Sequence, residues 1–462
     1  MICYLKDKAC HYMGQNMNQS YILTREIIEN YRLICRQDPR DIENWLMLGR
    51  CLVDVQLYEE AEKALMKIFE EGRFFAFKNG VPRLRLSALL HWRRNRLFFA
   101  KAYADMAMIS LNQGNLAESE RLLTMALAVF EKEQNDYEYA RAANRLGMVY
   151  RLAGAFESAE EAHYRAKKLA EQHGWTFVLA ETLGNLGMVY EGKDRFEQAL
   201  DHHREALALF NQDDRHCFEA ACQQRQIGLC CLRNGRLQES WDTFAEALAA
   251  FKKQNDLQFQ SRILNDMTLV CQARGDEEKA LATARKAVAA ALKSGDDFET
   301  AANRLLYAGL KVEKNPNDPE IEELLFPALA FFKEKDKKAE NANAAAMLGL
   351  TYLRRGEWDK AESFFKDSLH IEEMLRRSLG QASDYSNLGL IAQKKGQLQK
   401  AAEYWLKASV LFENSGDADA AEYFKNKTVD LFESRGDTAA AAYFRRQAKL
   451  MSGVEEALPR AK

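Results

Sequence analysis

The apolar residues of this chain fall at helical spacing, and the helical blocks themselves return at a fixed interval. Ala143, Leu146, Gly147 and Tyr150 stand at i, i+3, i+4 and i+7, which is one face of a first helix. The run breaks at Gly154, within Ala-Gly-Ala-Phe. Phe156, Ala159, His163 and Ala166 then line one face of a second helix. The pentapeptide LGMVY occupies residues 146–150 and returns at 186–190. Aligned on it, the anchors are Leu48, Met106, Leu146, Leu186, Ile227, Met267, Leu305, Leu348 and Leu388, with a weaker match near Thr428. From Met106 onward the step is about forty residues. Small residues such as Gly147 and Ala159 are expected where two antiparallel helices close to about 8–10 Å.

Other periods keep the scheme with exchanges. One carries Leu186, Gly187, Tyr190, Phe196, Ala199 and Ala206; another carries Leu348, Gly349, Tyr352, Trp358, Ala361 and Phe365; a third carries Leu388, Gly389, Leu398, Ala401, Trp405 and Ala408. This alternation of small and large positions over two helices resembles the tetratricopeptide repeat family. The forty-residue step resembles its LGN/Pins, kinesin light chain and Rap-type members. The resemblance implies an all-α fold, a right-handed superhelical solenoid of stacked antiparallel helix pairs, in which each pair is stabilised by its neighbours.

The pattern divides the chain into a flexible N-terminal segment (1–18), a half repeat with the first full repeat (19–72), a basic and aromatic insertion, helical in part (73–97), regular units (98–297), a divergent unit (298–340), C-terminal units (341–450) and a tail (451–462). Residues 20–37, closed by Asp38-Pro39, read as a lone second helix that caps the array. The divergent unit has Leu306 in place of the central glycine and carries Pro316, Pro319 and Pro327, so a bend or looser packing is expected there.

The insertion stretches the step from Leu48 to Met106 to 58 residues. It holds a basic patch, Arg73, Lys78, Arg83, Arg85, Arg93, Arg94 and Arg96, followed by Lys101 and interleaved with Phe74, Phe75, Phe77, Trp92, Phe98 and Phe99. Asn79-Gly80 marks a turn, and Pro82 suits the first turn of a helix running into the next repeat. The expected arrangement is a long helix burying Leu84, Leu86, Leu89, Leu90 and Phe98, its arginines solvated or paired with acids elsewhere. The alternative is a docking surface for an acidic partner or an anionic membrane.

In the family resembled, ligands lie along the first helix of each unit. The residues of this chain on that face are Arg141, Asn144, Arg145, Arg151, Asn185, Arg225, Arg233, Arg262, Asn265, Asn303, Arg304, Lys311, Arg354, Asn387 and Lys394, a candidate peptide-binding groove. Positive groups outnumber Glu181 and Glu191 there, so the groove is expected to be more basic than the whole chain. Two residues after each anchor stands an apolar row: Met108, Met148, Met188, Leu229, Leu269, Tyr307, Leu350 and Leu390. Guanidinium forks suit carboxylates and amides suit peptide backbone. The row is expected to pack neighbouring first helices together. The arginines are open to two readings, ligand contacts or i,i+4 pairs with local acids.

Composition narrows the function. The net charge of -3 gives no overall attraction to nucleic acid or membrane, both disfavoured as partners. Nine cysteines, without a C-x-x-C pair, read as reduced thiols of a cytoplasmic protein. The N-terminus does not read as a signal peptide, and no stretch is apolar enough to span a bilayer. His163 and His203 fall at repeat core positions, and His202 beside the latter points elsewhere. No H-E-x-x-H, Walker A, G-x-S-x-G or G-x-G-x-x-G motif occurs, so no catalytic residue, metal or cofactor is assigned. The expectation is a non-catalytic scaffold or adaptor binding an acidic, partly apolar peptide segment of a partner protein. Two readings compete with it: a ligand-responsive regulator resembling Rap proteins, and a peripheral anchor to anionic surfaces through residues 73–101.

Overall fold

The structure is a computed structural model that describes residues 17–72, 75–78, 81–84 and 92–451. The chain forms two compact units, Met1–Phe259 and Gln260–Lys462. The first holds α1 (Met17–Gln37), α2 (Ile42–Asp54), α3 (Tyr58–Gly72), β1 (Phe75–Lys78), β2 (Val81–Leu84), α4 (Trp92–Asn112), α5 (Leu116–Lys132), α6 (Asp136–Leu152), α7 (Phe156–His173), α8 (Thr176–Gly192), α9 (Phe196–Phe210), α10 (Cys217–Arg233) and α11 (Leu237–Lys253). The division falls near the start of α12 (Leu257–Ala273). The second unit continues with α13 (Glu277–Ser294), α14 (Asp297–Lys314), α15 (Glu320–Glu334), α16 (Lys338–Arg355), α17 (Trp358–Leu375), α18 (Ser378–Lys394), α19 (Leu398–Asn414), α20 (Ala418–Glu433) and α21 (Thr438–Met451). Consecutive helices pack as pairs, α4 with α5, α6 with α7, α8 with α9 and α10 with α11 in the first unit, and α14 with α15, α16 with α17 and α18 with α19 in the second. Within each unit every pair stacks on the next, so among the described residues the fold is all-α apart from one hairpin.

Local chemistry sets the helix ends. Asn115 and Asn135 cap α5 and α6 by accepting the N–H of Glu118 and Glu138, satisfying donors a helix cannot pair internally. Gly154 makes the turn between α6 and α7 at φ +76, a left-handed conformation other residues adopt at a cost. Helix α1 places Ile27, Ile28, Tyr31 and Cys35 in one core with Leu46, Leu52, Leu65 and Ile68 of α2 and α3.

The anchor glycines turn out to face rings. A Cβ on Gly147 would stand 2.5 Å from the imidazole of His163, on Gly187 2.6 Å from His203, on Gly228 2.5 Å from Phe244 and on Gly389 2.4 Å from Trp405. Each ring comes from the second helix of the same pair and is fully buried. The small residue therefore makes a socket for a large side chain, in addition to letting backbones approach.

The insertion differs from expectation. β1 and β2 pair antiparallel, Phe75 opposite Leu84 and Phe77 opposite Pro82. Pro82 thus lies in a strand, and α4 starts only at Trp92. Phe-Ala-Phe-Lys and Val-Pro-Arg-Leu flank Asn-Gly, the strongest two-residue hairpin signal, and a two-stranded ribbon has outer edges where proline's missing N–H is tolerated. Leu86, Leu89 and Leu90 lie outside the described residues, whereas Phe98 packs on the core of α1 to α3. In the divergent unit, Pro319 precedes α15 and Pro327 sits within it, yet Ala328 and Phe332 are fully buried beside Ala301 and Ala344. The prolines do not open that core.

Candidate functional site: a polar face on the first helices

The first helices of unit 1 are joined by charges that reach back one repeat. Asp105 of α4 is buried between two guanidiniums: Arg50 Nε of α2 donates to it at 2.8 Å and Arg145 Nη1 of α6 at 2.9 Å. Arg145 also donates to the Ala104 carbonyl at 3.0 Å. Glu138 of α6 meets Lys101 at 3.1 Å, Arg50 at 3.6 Å and Arg141 at 3.7 Å. Burial by itself would raise the Asp105 and Glu138 carboxyls, but the surrounding cations outweigh it and hold both below the ordinary range. Glu181 of α8 shows the opposite balance, its carboxyl raised by burial against the pull of Arg141 and Arg145.

Amides and imidazoles continue the ladder. Asn185 donates to Asn144 Oδ1 at 3.1 Å, and His163 Nδ1 lies 2.8 Å from the same oxygen. His163 Nε2 has no hydrogen-bond partner. Burial, reinforced by nearby Arg151, drives that imidazole down to about 3, so it is neutral at ordinary pH. Glu191 accepts from Arg233 Nη1 at 3.1 Å and lies 3.0 Å from His203 Nε2.

Tetratricopeptide repeat models match residues 98–172, 179–212 and 344–376. The chain carries tetratricopeptide repeats. Similar solved structures include the Signal Transduction ATPase with Numerous Domains protein with a tetratricopeptide repeat sensor from Pyrococcus horikoshii, 14% identical over 87% of this chain and 67% of that one with a TM-score of 0.55. Aspartyl phosphate phosphatase F from Bacillus subtilis is 17% identical over 82% and 93%, with a TM-score of 0.51. A Rap protein complexed with Competence and Sporulation Factor is 15% identical over 81% and 96%, also with a TM-score of 0.51. At these identities the likeness is one of fold. No curated protein matches the sequence. Among the described residues, no helix is long and apolar enough to cross a membrane.

In the second unit of this repeat protein the pattern recurs with other residues. Asn303 is buried and donates to Ser261 at 2.6 Å. Arg262 lies 3.5 Å from Glu299, and Arg354 donates to the Val312 carbonyl at 3.0 Å. Lys311 is held by Asp318 at 2.6 Å and Glu320 at 2.5 Å. Asn387 donates into its own helix, to Ser383 O, while Asn265 and Arg304 are half-buried and Lys394 is exposed. In unit 1, Arg225 is half-buried and engaged within the protein, and Arg151 is half-buried with its Nε unpartnered.

Three expectations change. Asn144 and Asn303 are structural ties, and Arg145 and Lys311 are committed to internal acids, so the face is less basic than a count of arginines suggests. The partners of Arg145 and Asn303 sit on the preceding first helix, about 40 residues back, Asn144 is tied to Asn185 of the following first helix, and Lys311 pairs with Asp318 and Glu320 just beyond its own helix, so none of these is an i,i+4 pair. The apolar row is not packed away: Met108, Met148, Met188 and Leu229 are half-buried and Leu269 is 40% exposed, whereas Tyr307 is buried. Of the basic patch, Arg96 meets Glu133 at 3.2 Å, withdrawing it from any anionic surface as Glu138 does Lys101. Arg73 and Arg85 lie outside the described residues. Lys78 and Arg83 fall in the strands, and Arg93 and Arg94 in the first turn of α4. Sequence reasoning passed over Asp105, Glu138 and Arg50; the available signal was that Asp105 and Arg145 stand 40 residues apart, each one residue before its repeat anchor.

Proposed function

We propose that this repeat protein is a non-catalytic scaffold in the cytoplasm that holds an acidic, partly apolar segment of a partner protein along its first helices. The observation that carries the reading lies in unit 1, where half-buried Met108, Met148, Met188 and Leu229 run beside guanidiniums that are incompletely engaged. Arg233 keeps 56% of its side chain exposed although it touches Glu191, and Arg141 stands 3.7 Å from Glu138, beyond hydrogen-bond range. Thioethers adapt to irregular apolar anchors and guanidinium forks take carboxylates, so the two together suit such a segment. The described cysteines are free thiols, which supports a reducing compartment.

Affinity capture with the full chain as bait tests the proposal. Met148→Lys with Met188→Lys is expected to remove the captured partner, and Arg141→Glu with Arg233→Glu to remove it independently. Identical capture by the wild type and both double variants, each folded by circular dichroism, would refute it.

A further inference from the structure

Glu191 lies at the end of α8, His203 in α9 and Cys230 near the end of α10, and their side chains meet in the core between those helices, all more than nine-tenths buried. One carboxylate oxygen, one imidazole nitrogen and one thiol sulfur lie within 4.8 Å of one another. His203 Nε2 is 3.0 Å from Glu191 Oε1, while on the other side of the ring Nδ1 is 2.9 Å from Gln223 Oε1. An Nδ1–H donated to Gln223 leaves Nε2 with its lone pair directed at the carboxylate, two acceptors that need positive charge between them. The other Glu191 oxygen is occupied by Arg233 at 3.1 Å, which orients the carboxylate. The Cys230 thiol also hydrogen-bonds to Glu191, so carboxylate, imidazole and thiol converge on one point, where a single metal ion can take all three donors.

We propose that Glu191, His203 and Cys230 form a binding site for a divalent transition metal of the zinc class. Mixed nitrogen, oxygen and sulfur donors fit zinc or cobalt and do not fit magnesium or calcium, which require oxygen ligands. Metal bonds of about 2.0–2.3 Å bring such donors together with small side-chain shifts and leave a fourth position for water. Gln223 and Arg233 are the outer partners that hold a ligating imidazole and carboxylate in place. The Cys230 thiol gives up its proton to solvent as the sulfur–metal bond forms. The ion would tie three consecutive helices, coupling one repeat to the next independently of any peptide on the open face. No short motif signals the site because each ligand comes from a different helix.

The test uses the full-length, metal-stripped protein titrated with cobalt(II) and then zinc(II). One equivalent of cobalt is expected to give d–d bands and a thiolate-to-cobalt charge-transfer band that zinc bleaches. Cys230→Ser should abolish the charge-transfer band and Cys231→Ser should retain it. Gln223→Ala, which leaves all three ligands in place, should weaken zinc binding by about 10- to 100-fold and serves as the second variant if Cys230→Ser does not fold. Folded wild-type protein without these bands, bands unchanged by Cys230→Ser, or zinc affinity unchanged by Gln223→Ala would overturn the proposal.

Discussion

Gly228 and Asp384 show how much single positions carry. The Gly228 socket is filled by Phe244, a rigid buried ring, so a methyl group there forces ring or backbone to shift. Gly228→Ala should cost about 1–3 kcal/mol, the usual penalty of overpacking, and lower the melting temperature; gained stability from the better helix former would show that the pair slides apart freely. Asp384 is buried on α18, and burial lifts its carboxyl to about 7 against the hydrogen bond from Ser368, with the Glu372 carboxylate adding to the rise. Its ordinary value is 3.8, so between about 4 and 7 the folded chain binds more protons than the unfolded one. Stability is thus greatest at the acid end of that window and falls as pH rises through it. Asp384→Asn should flatten this decline, raising the melting temperature at pH 8 and changing it little at pH 5. An equal drop at both pH values would mean that the carboxylate itself is stabilising.

At the scale of elements, Asp105 decides how α2, α4 and α6 are joined. Removing it leaves Arg50 and Arg145 without their shared buried acid, and breaking such a buried pair costs about 3–5 kcal/mol. Asp105→Ala should therefore destabilise strongly in denaturant melts, and adding Arg145→Met should restore part of the loss; strict additivity of the two changes would sink the coupling. The sequence made the helices and their pairing legible, because Leu146, Gly147 and Tyr150 recur in phase with one face; that each glycine is a socket for a ring of the second helix emerged only with the packing. The charge network was not legible from local spacing. Arg145 and Asp105 are 40 residues apart, and only stacking brings them together. The hairpin of β1 and β2 departs from the helix start that Pro82 suggests for a different reason: Asn79-Gly80 between alternating residues is the stronger local signal. Glu191 looked like a groove residue and His203 like a core residue, because three helices must assemble before they meet Cys230.

Each unit is a series of neighbour contacts, and its response to damage should be local. In a stacked array stability is close to a sum of intrinsic and nearest-neighbour terms, so a broken tie lowers the cost of opening where it occurs and decays along the stack. Asp105 contacts α2 and α6 from α4, whereas the cores of α16 to α19 rest on their own residues, Phe365 and Trp405 among them, all in the second unit. Hydrogen exchange followed by mass spectrometry on Asp105→Ala should show faster exchange in peptides covering 42–54, 92–112 and 136–152, and unchanged rates over 338–414. A uniform increase along the chain would mean that the protein opens as one cooperative block. Local loss would instead show that each repeat is held by its immediate neighbours, so that occupancy of the face around Met148 and Met188 stiffens mainly the helices it touches.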